Sequence, residues 1–416
     1  YKQDEAPRYH GRDVAIYRAR LCRAPVVLGS ATPSLESFTH ARSGKYGLLT
    51  LPSRIDDRPQ PVVVTLPLKR PREQGQAWVE PPRSRVFSDE LIAGLEQRLA
   101  LGEQAILFLN RRGHSTMVRC KECGAVALCP HCDISLTWHQ DRGELRCHYC
   151  AHVARNLDTC PQCKGACFVY KGVGTQKVEA ELVRLLPAAR FLRMDFDSTR
   201  RRGAFERILE DFRHRRADVL LGTQMVARGL DFPDVTLVGV INADTQLYLP
   251  DFRSAERTFQ LLTQVAGRAG RGCRPGEVLV QTFAAGHYAV EAAARHDFAG
   301  FYETEVAFRR ELDYPPFSRM SNLLFDGKVE DAVRLRAERL ADILAGLPPA
   351  ERAGVEFLGP APQSLTRLKG KYRWHLTLKG RDHRILHALA ERALASDPGR
   401  RDAVRITADV DPVSLL

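Results

Sequence analysis

"QAILFLNRRGHSTMVRCKECGAVALCPHC" (Gln104–Cys132) holds two kinds of chemistry in one stretch. Its first seven residues, "QAILFLN", are a continuous apolar run of strand length, which reads as a strand buried on both faces of a parallel sheet. "RRGHS" reads as a loop. Then the cysteines begin, as Cys120/Cys123, Cys129/Cys132, Cys147/Cys150 and Cys160/Cys163, so that eight of the eleven in the chain fall between positions 120 and 163. Two residues separate the thiols of each pair, which lets one tight turn aim both sulfurs at a single ion. Two such turns make a tetrahedral four-cysteine site. Soft sulfur donors select zinc or an iron–sulfur cluster over magnesium or calcium, and the regular turns favour zinc. A redox dithiol would need one pair, not four.

Eight thiolates serve two ions, and three pairings of the four turns are open. We favour the nested one, with Cys120, Cys123, Cys160 and Cys163 as one set and Cys129, Cys132, Cys147 and Cys150 as the other. Nesting brings the ends of the module together, as an insert in another domain requires. The segment has few apolar residues, so metal binding is expected to supply most of its folding energy. His131, His139, His148 and His152 lie in or near the turns and read as exposed polar residues rather than ligands. Cys167 is a spare thiol that breaks the pairing, and Cys22 and Cys273 read as ordinary small residues.

Outside the module the chain alternates. Upstream, "SDELIAGLEQRLALG" carries Leu91, Ile92, Leu95 and Leu99 as a helical stripe, with Ser88 placed to cap it. Downstream, "TQKVEAELVRLL", "RGAFERILEDFRHR" and "SAERTFQLLTQVAGRAG" read as helices between the strands "ARFLRMD", "ADVLLGT", "VTLVGVIN" and "GEVLVQTF". Such alternation predicts a parallel sheet covered on both faces. The cysteine module is then an excursion from the first strand-to-helix connection of that sheet.

The 416 residues are 44% hydrophobic and 27% charged, with a formal net charge of +12, which suits two or three globular domains and a polyanionic partner. No apolar run approaches the ~18 residues of a membrane span, and no leader is visible. The start, "YKQDEAPRYH", has no methionine, so a C-terminal piece of something longer is expected. Clustered cysteines without a leader point to a reducing, cytoplasmic setting.

Four motifs carry the chemistry. "QVAGRAGR" sets Arg268 and Arg271 three apart on what reads as one helix, with Gly267 and Gly270 leaving the neighbouring backbone open, and two such arginines can clamp phosphate. "GSATPS" (Gly29–Ser34) follows the strand "PVVL", "FLNRRG" (Phe108–Gly113) leads the sheet, and "GTQMVARGLDFP" (Gly222–Pro233) precedes the arginines. In this order they resemble motifs III, IV, V and VI of superfamily 2 helicases. With the cysteine insert, and with "YKQDEAPRYHGRDVAIYRA", "DFRSAERTFQLLTQVAGRAGR", "ELDYPPFSRM" and "DVDPVSLL", the chain resembles, end to end, the C-terminal part of the PriA family of bacterial primosomal replication-restart helicases.

The resemblance implies an α/β fold: a RecA-like helicase lobe 2 with an inserted two-zinc module, the end of lobe 1 at the N-terminus and a C-terminal α+β domain. The boundaries expected are 1–75 for the lobe 1 remainder, 76–118 and 168–284 for lobe 2, 119–167 for the zinc module and 285–416 for a DNA-binding domain. It also implies the nested zinc pairing, fork recognition, 3′-to-5′ unwinding driven by ATP and Mg²⁺, and reloading of the replicative helicase. The implied partners are forked or single-stranded DNA, single-stranded-DNA-binding protein and primosome components, with the chain a nucleoid-associated monomer. Arg268 and Arg271 become arginine-finger candidates, and Gly29, Ser30, Ala31, Thr32, Gly229, Asp231 and Gln264 become candidates for coupling ATP to DNA.

A G-x-x-x-x-G-K-[S/T] loop does not occur in these residues, and "DEAP" (Asp4–Pro7) follows "YKQ" rather than an apolar strand. This chain is therefore not expected to hydrolyse ATP alone. Arg228 and Gln176 stand where many relatives have lysine and glutamate. Two readings remain: part of a fork-remodelling helicase, or a fork-binding adaptor without ATP turnover. An unrelated zinc-ribbon RNA-binding protein would leave the ordered motifs unexplained.

The region after His287 changes character. "HYAVEAAARHDFAGFYETEVAFRREL" reads as one long helix. "LTRLKGKYRWHLTLKGRDHR" carries Arg367, Lys369, Lys371, Arg373, Lys379 and Arg381 around Tyr372 and Trp374. Charges on phosphate and rings on unpaired bases would suit single-stranded nucleic acid. Strict alternation equally fits a strand with both rings buried and only the charges exposed. The DNA-contact candidates are Arg367, Lys369, Lys371 and Arg373.

Overall fold

The computed structural model describes every residue except 1, 4–7, 52–58, 69–82, 85, 110–116, 121–122, 140–142, 156–158, 161, 171–173, 196–197, 200–202, 224, 227–231, 273, 396–403 and 416. Two helices open the chain, α1 (Gly11–Cys22) and α2 (Leu35–Arg42), followed by β1 (Val62–Pro67), α3 (Asp89–Ala100) and β2 (Gln104–Phe108). The cysteine module holds β3 (Met117–Cys120), β4 (Thr137–His139), β5 (Glu144–Arg146), β6 (Val153–Arg155) and β7 (Cys167–Tyr170). Alternation resumes with α4 (Thr175–Leu185), β8 (Phe191–Met194), α5 (Ala204–Arg213), β9 (Val219–Gly222), β10 (Val235–Val240), α6 (Asp244–Leu247), α7 (Ser254–Ala266) and β11 (Glu277–Thr282). Two helices, α8 (Tyr288–Ala294) and α9 (Phe298–Glu311), lead to β12 (Arg319–Gly327), α10 (Glu330–Ala345), β13 (Val355–Leu368), β14 (Lys371–Gly380), α11 (His383–Ala395) and β15 (Val404–Val410).

The central sheet is parallel throughout, in the order β1-β11-β10-β2-β9-β8. All five residues of β2 are buried, because side chains alternate across a strand and both faces are covered. Ile106 and Phe108 share one face with Val238, Val240, Val278 and Val280 beneath α7. Ala105 and Leu107 share the other with Val219, Leu221 and Leu237 beneath α3 and α4. Each large apolar side chain so buried contributes ~1.5–3 kcal/mol. Ser88 Oγ accepts the Leu91 N–H at 3.2 Å, the expected cap, worth ~1 kcal/mol.

Four expectations need correction. First, β1 pairs with β11 from Val62/Glu277 to Pro67/Thr282, so residues 62–67 belong to this sheet although they lie before the boundary expected at 75. The module consequently leaves the sheet after its second strand in chain order, between β2 and α4. Second, "PVVL" joins no ladder, and Val27 is 87% exposed. Third, the long helix breaks into α8 and α9, because His296 takes φ +56° and Asp297 accepts the Gly300 N–H to start a new helix. Fourth, Val290, Phe301 and Tyr302 of these helices pack in the sheet's own core with Phe259 and Leu262, although 285 was the expected start of the last domain.

That last domain is a β-α-β-β-α-β unit with the antiparallel order β13-β14-β12-β15, a ferredoxin-like arrangement. Helices α10 and α11 cover one face, burying Trp374, Leu376 and Leu378 of β14 with Leu340, Leu344, Leu386 and Leu389. No helix among the described residues is long and apolar enough to cross a membrane.

Candidate metal centres and nucleic-acid interface

All four cysteine turns are built alike. The N–H of the first cysteine donates to the carbonyl five residues on: Cys120 to Ala125, Cys129 to Ile134, Cys147 to His152 and Cys160 to Gly165, each at 2.8 Å. The residue just after the second cysteine is left-handed in every case: Gly124 at φ 74°, Asp133 at 51°, Ala151 at 61° and Lys164 at 60°. That residue turns the chain back to form a short antiparallel pair, Arg119 with Val126, Leu128 with Ser135, Arg146 with Val153 and Thr159 with Ala166. Both sulfurs are thereby held on the concave side of one turn.

The turns assemble in the nested pairing. Cys120, Cys123, Cys160 and Cys163 form one cluster, and Cys129, Cys132, Cys147 and Cys150 the other, with all ligand sulfurs of a cluster within 4.8 Å of one another. Cys120 Sγ lies 3.4 Å from Cys163 Sγ, Cys123 Sγ 3.5 Å from Cys160 Sγ and Cys129 Sγ 3.7 Å from Cys150 Sγ. A tetrahedron with ~2.3 Å zinc–sulfur bonds has edges of ~3.8 Å, so either set fits around one ion. The ends of the module meet as well, since β3 and β7 pair from Met117/Tyr170 to Cys120/Cys167.

The two clusters sit in different surroundings. Cys123 and Cys163 are exposed at the outer one. The inner one lies in an apolar junction with Tyr149, Tyr314, Met320, Leu358 and Leu415, where the module meets the C-terminal domain. None of the four histidines belongs to either cluster. His148, however, is not an exposed ribbon residue. It is buried, its Nδ1 lies 2.7 Å from the Pro362 carbonyl, and its own carbonyl bonds His375 Nε2 on β14. Burial lowers His375 to about 4.

Motif III meets α7. Thr32 is buried, and Gln260 Nε2 donates to its carbonyl at 3.5 Å. Gln264 is exposed one turn further along. Gly29, Ser30 and Ala31 are exposed, with Ser30 Oγ accepting the Thr32 N–H at 3.1 Å. The helix stops at Ala266, so Arg268 and Arg271 share no helical face, contrary to the expectation. Arg271 Nε instead donates to the Gly267 carbonyl at 2.9 Å. Nor does Gly270 leave the backbone open: it takes φ +66°, and a Cβ there would fall 2.5 Å from the Gly276 nitrogen. Arg228, Gly229, Asp231, Asn110–Gly113, Asp4–Pro7 and Cys273 lie outside the described residues, as does the side chain of Cys167.

An ion network around α2 and α7 had no signature in the sequence. Leu35 N donates to Glu256 Oε1 at 3.1 Å, Arg309 Nη2 to Glu256 Oε2 at 2.7 Å and Arg309 Nε to Glu305 Oε1 at 2.9 Å. Arg253 bonds Glu36, and Tyr288 donates to Glu305 at 2.5 Å. Burial pushes the Glu36 carboxyl up, but the charges of Arg253 and Arg309 outweigh it and hold the group at about 2. Glu305, with less compensation, is raised by its burial. Glu305 and Arg309 are four apart on one helix, but Glu36, Glu256 and Arg309 come from separate helices far apart along the chain, so local spacing reveals only part of the network.

The basic stretch of the C-terminal domain divides by strand parity. Trp374 is 5% exposed in the core and Tyr372 is half-buried beneath Arg367, whose guanidinium lies 5.2 Å from the ring centroid. Base stacking on Trp374 is thereby ruled out. Lys369 and Gly370 form the hairpin tip, both at positive φ. Lys371 pairs with Asp326 at 2.8 Å, Lys379 with Glu356 at 2.6 Å and Arg381 with Asp313 at 3.2 Å.

Comparison with known proteins supplies the family. The model described as "Primosomal protein N C-terminal domain" matches residues 310–413, "PriA DNA helicase Cys-rich region (CRR) domain" matches 129–155, and "Helicase conserved C-terminal domain" matches 173–273. The replication restart protein PriA of Bacillus subtilis is 45% identical over 100% of this chain and 51% of its own length. That of Synechocystis is 41% identical over 100% of this chain and 50% of its own. Among solved structures, S. cerevisiae Dbp5 bound to RNA and ADP BeF3 aligns at 14% identity with a TM-score of 0.36, covering 73% of this chain and 60% of that one, too slight a likeness to bear on function. The chain spans about half the length of the curated relatives it matches, and by these whole-chain identities and its two PriA-specific domains it belongs to the PriA replication-restart family.

Proposed function

We propose that this chain serves a replication-restart protein that engages forked or single-stranded DNA, with Arg268 and Arg271 facing ATP from lobe 2 and the motif III residues Gly29–Thr32 relaying its state through α7. The observation that carries this is the contact of motif III with α7 through Thr32 and Gln260, joined by that of the adjoining Leu35 with Glu256, in a chain of this family. Gly229, Asp231 and Gln264 complete the coupling set. Two Zn²⁺ ions fill the cysteine clusters, for which the thiolate chemistry and sulfur spacing are the support. Single-stranded-DNA-binding protein and primosome components are the proposed protein partners, and helicase reloading the outcome. DNA contacts to phosphate predict binding that weakens steeply with salt and shows little sequence preference.

The test is ATP hydrolysis by a full-length protein containing this chain, with and without forked DNA, beside the 416-residue chain itself. DNA-stimulated hydrolysis by the full-length protein alone is expected, and it should fall by about two orders of magnitude or more in Arg268→Ala or Arg271→Ala. Fork binding without any hydrolysis would replace this reading with that of an adaptor.

A further inference from the structure

One face of α7 is joined, contact by contact, to motif III and the start of α2. Arg253 at the N-cap, Glu256 and Gln260 are spaced three and four apart, so they share a face, and Gln264 continues it. Along that face the partners run in reverse order. Gln260 Nε2 donates to the Thr32 carbonyl at 3.5 Å, Glu256 Oε1 accepts the Leu35 N–H at 3.1 Å, and Arg253 bonds Glu36. Contacts in a row fix the register of two elements as well as their separation. The motif III side is itself anchored. Ser34 Oγ caps α2 by accepting the Ser37 N–H at 3.3 Å, and Arg12 Nη1 donates to Ser34 Oγ at 2.7 Å and to Ser37 Oγ at 3.1 Å.

The charges in this row are largely withdrawn from water. Arg309 Nη2 lies 2.7 Å from Glu256 Oε2, and its Nη1 lies 3.8 Å from Glu36 Oε1. The Phe252 ring lies 4.6 Å from the Arg253 guanidinium and 5.2 Å from that of Arg309. Apolar side chains of the same volume are often as stabilising as buried ion pairs, whose best-attested use is to specify register. What this register governs lies at the other end of the helix. With 13 residues, α7 is a rod of ~20 Å. The turn beyond it is built on its last residues. Arg268 N donates to the Val265 carbonyl at 3.0 Å, Ala269 N to the Ala266 carbonyl at 3.1 Å, and Arg271 Nε to the Gly267 carbonyl at 2.9 Å. A slip at the start of the helix is thereby passed on to Arg268.

We propose that Arg253 is a positioning residue for ATP hydrolysis: its pair with Glu36 sets the register of α7 against motif III and, through the helix, the place of Arg268. This rests on the ATP reading above and deepens it, because Arg268 meets the nucleotide correctly only when the helix that leads to it is seated in register. Arg253 touches no nucleotide in this role. Misplacing a reacting group by about 1 Å costs up to ~100-fold in rate, so loss of one contact in this row is expected to cost about tenfold.

The experiment measures DNA-stimulated ATP hydrolysis by a full-length protein containing this chain, in Arg253→Met, Arg268→Ala and the two combined. Arg295→Gln serves as a control on an exposed arginine outside the row. Arg253→Met should lower kcat about tenfold and change KM for ATP by less than about twofold, because the contact with Arg268 that it misplaces is one made in the transition state. In the Arg268→Ala background the same change should cost less than about twofold, since the group being positioned is gone. A merely structural arginine would act alike in both backgrounds, so an equal loss in the two, or no loss in the single variant, would overturn the role. Glu36→Gln removes the partner charge and should reproduce both results, which keeps the test decisive if Arg253→Met does not fold. If the full-length protein hydrolyses no ATP, or Arg268→Ala leaves its rate unchanged, the ATP reading fails and this role falls with it. Dependence on Arg268 without dependence on Arg253 or Glu36 overturns the role alone.

Discussion

Arg309 shows how much one side chain can hold. It is 2% exposed and contacts Glu256 and Glu305, each 3% exposed, while Glu256 also takes the Leu35 N–H. Replacing it would strand two buried carboxylates, and breaking such a pair costs ~3–5 kcal/mol. Arg309→Met is therefore expected to lower unfolding stability by about that much, read by urea titration, with Arg310→Met, on the exposed side of α9, within ~0.5 kcal/mol of the parent. Titration gives a second prediction. Burial holds His287 and His375 at about 4, below the ordinary 6.5, so the unfolded chain binds more protons between those values. Stability should fall as pH drops from 6.5 toward 4, by about 1.4 kcal/mol per unit per histidine at most. Glu36, held at about 2, is stabilising above its ordinary 4.5, and that contribution should be lost as pH falls from 4.5 toward 2. Denaturation midpoints measured from pH 7 to pH 4 check the histidines, and His375→Gln should flatten part of the slope.

At the scale of elements, the cysteine turns carry a strain that the metal-bound state must absorb. Ala151 and Lys164 sit at φ 61° and 60° without the freedom of glycine, which costs ~1–2 kcal/mol each. Ala151→Gly should therefore make the module harder to strip of metal, seen as a higher chelator concentration at half-release, and a lower one would remove strain from the account. These turns were legible in the sequence because the spacing of two thiols dictates a local geometry, and the nested pairing followed from the need to rejoin the host strand. The helices and parallel strands were legible for the same reason, since their periodicities are local. What escaped was decided at a distance or by a single backbone angle. His296 and Asp297 divide a stretch with unbroken helical composition, although an aspartate before Phe298 was a capping signal. Gly267 marked the end of α7, and reading it as such would have separated Arg268 and Arg271 at once. The cluster of Glu36, Arg253, Glu256, Glu305 and Arg309 draws on three helices, which no window of sequence contains. β1 joined the lobe 2 sheet by pairing with a strand more than two hundred residues later.

At the scale of the whole molecule, the inner cysteine cluster lies at the junction of its parts. Tyr149 OH accepts the Phe252 N–H at 3.2 Å, Tyr314 OH donates to the Cys132 carbonyl at 3.2 Å, and Phe252 stacks on Tyr314 at 4.6 Å. Module, helicase lobe and C-terminal domain meet at these three rings. Cys147→Ser should release about one metal of two and leave the C-terminal domain open to protease at its junction. Cys123→Ser, at the exposed cluster, should release one metal and leave that junction protected. Metal content with limited proteolysis checks both, and equal cleavage in the two variants would mean that the clusters are equivalent. The antiparallel stem of β3 and β7 has one more consequence. Cut at the stem, the segment from Met117 to Tyr170 would look portable, a cassette that any strand-to-helix connection could accept. Its surface is not portable. In a recipient without counterparts to Tyr314, Met320, Leu358 and Leu415, the side that buries Leu145 and Tyr149 would face water. The cassette and the ferredoxin-like domain are therefore a matched pair, and a lineage that discarded one would inherit an exposed apolar scar on the other.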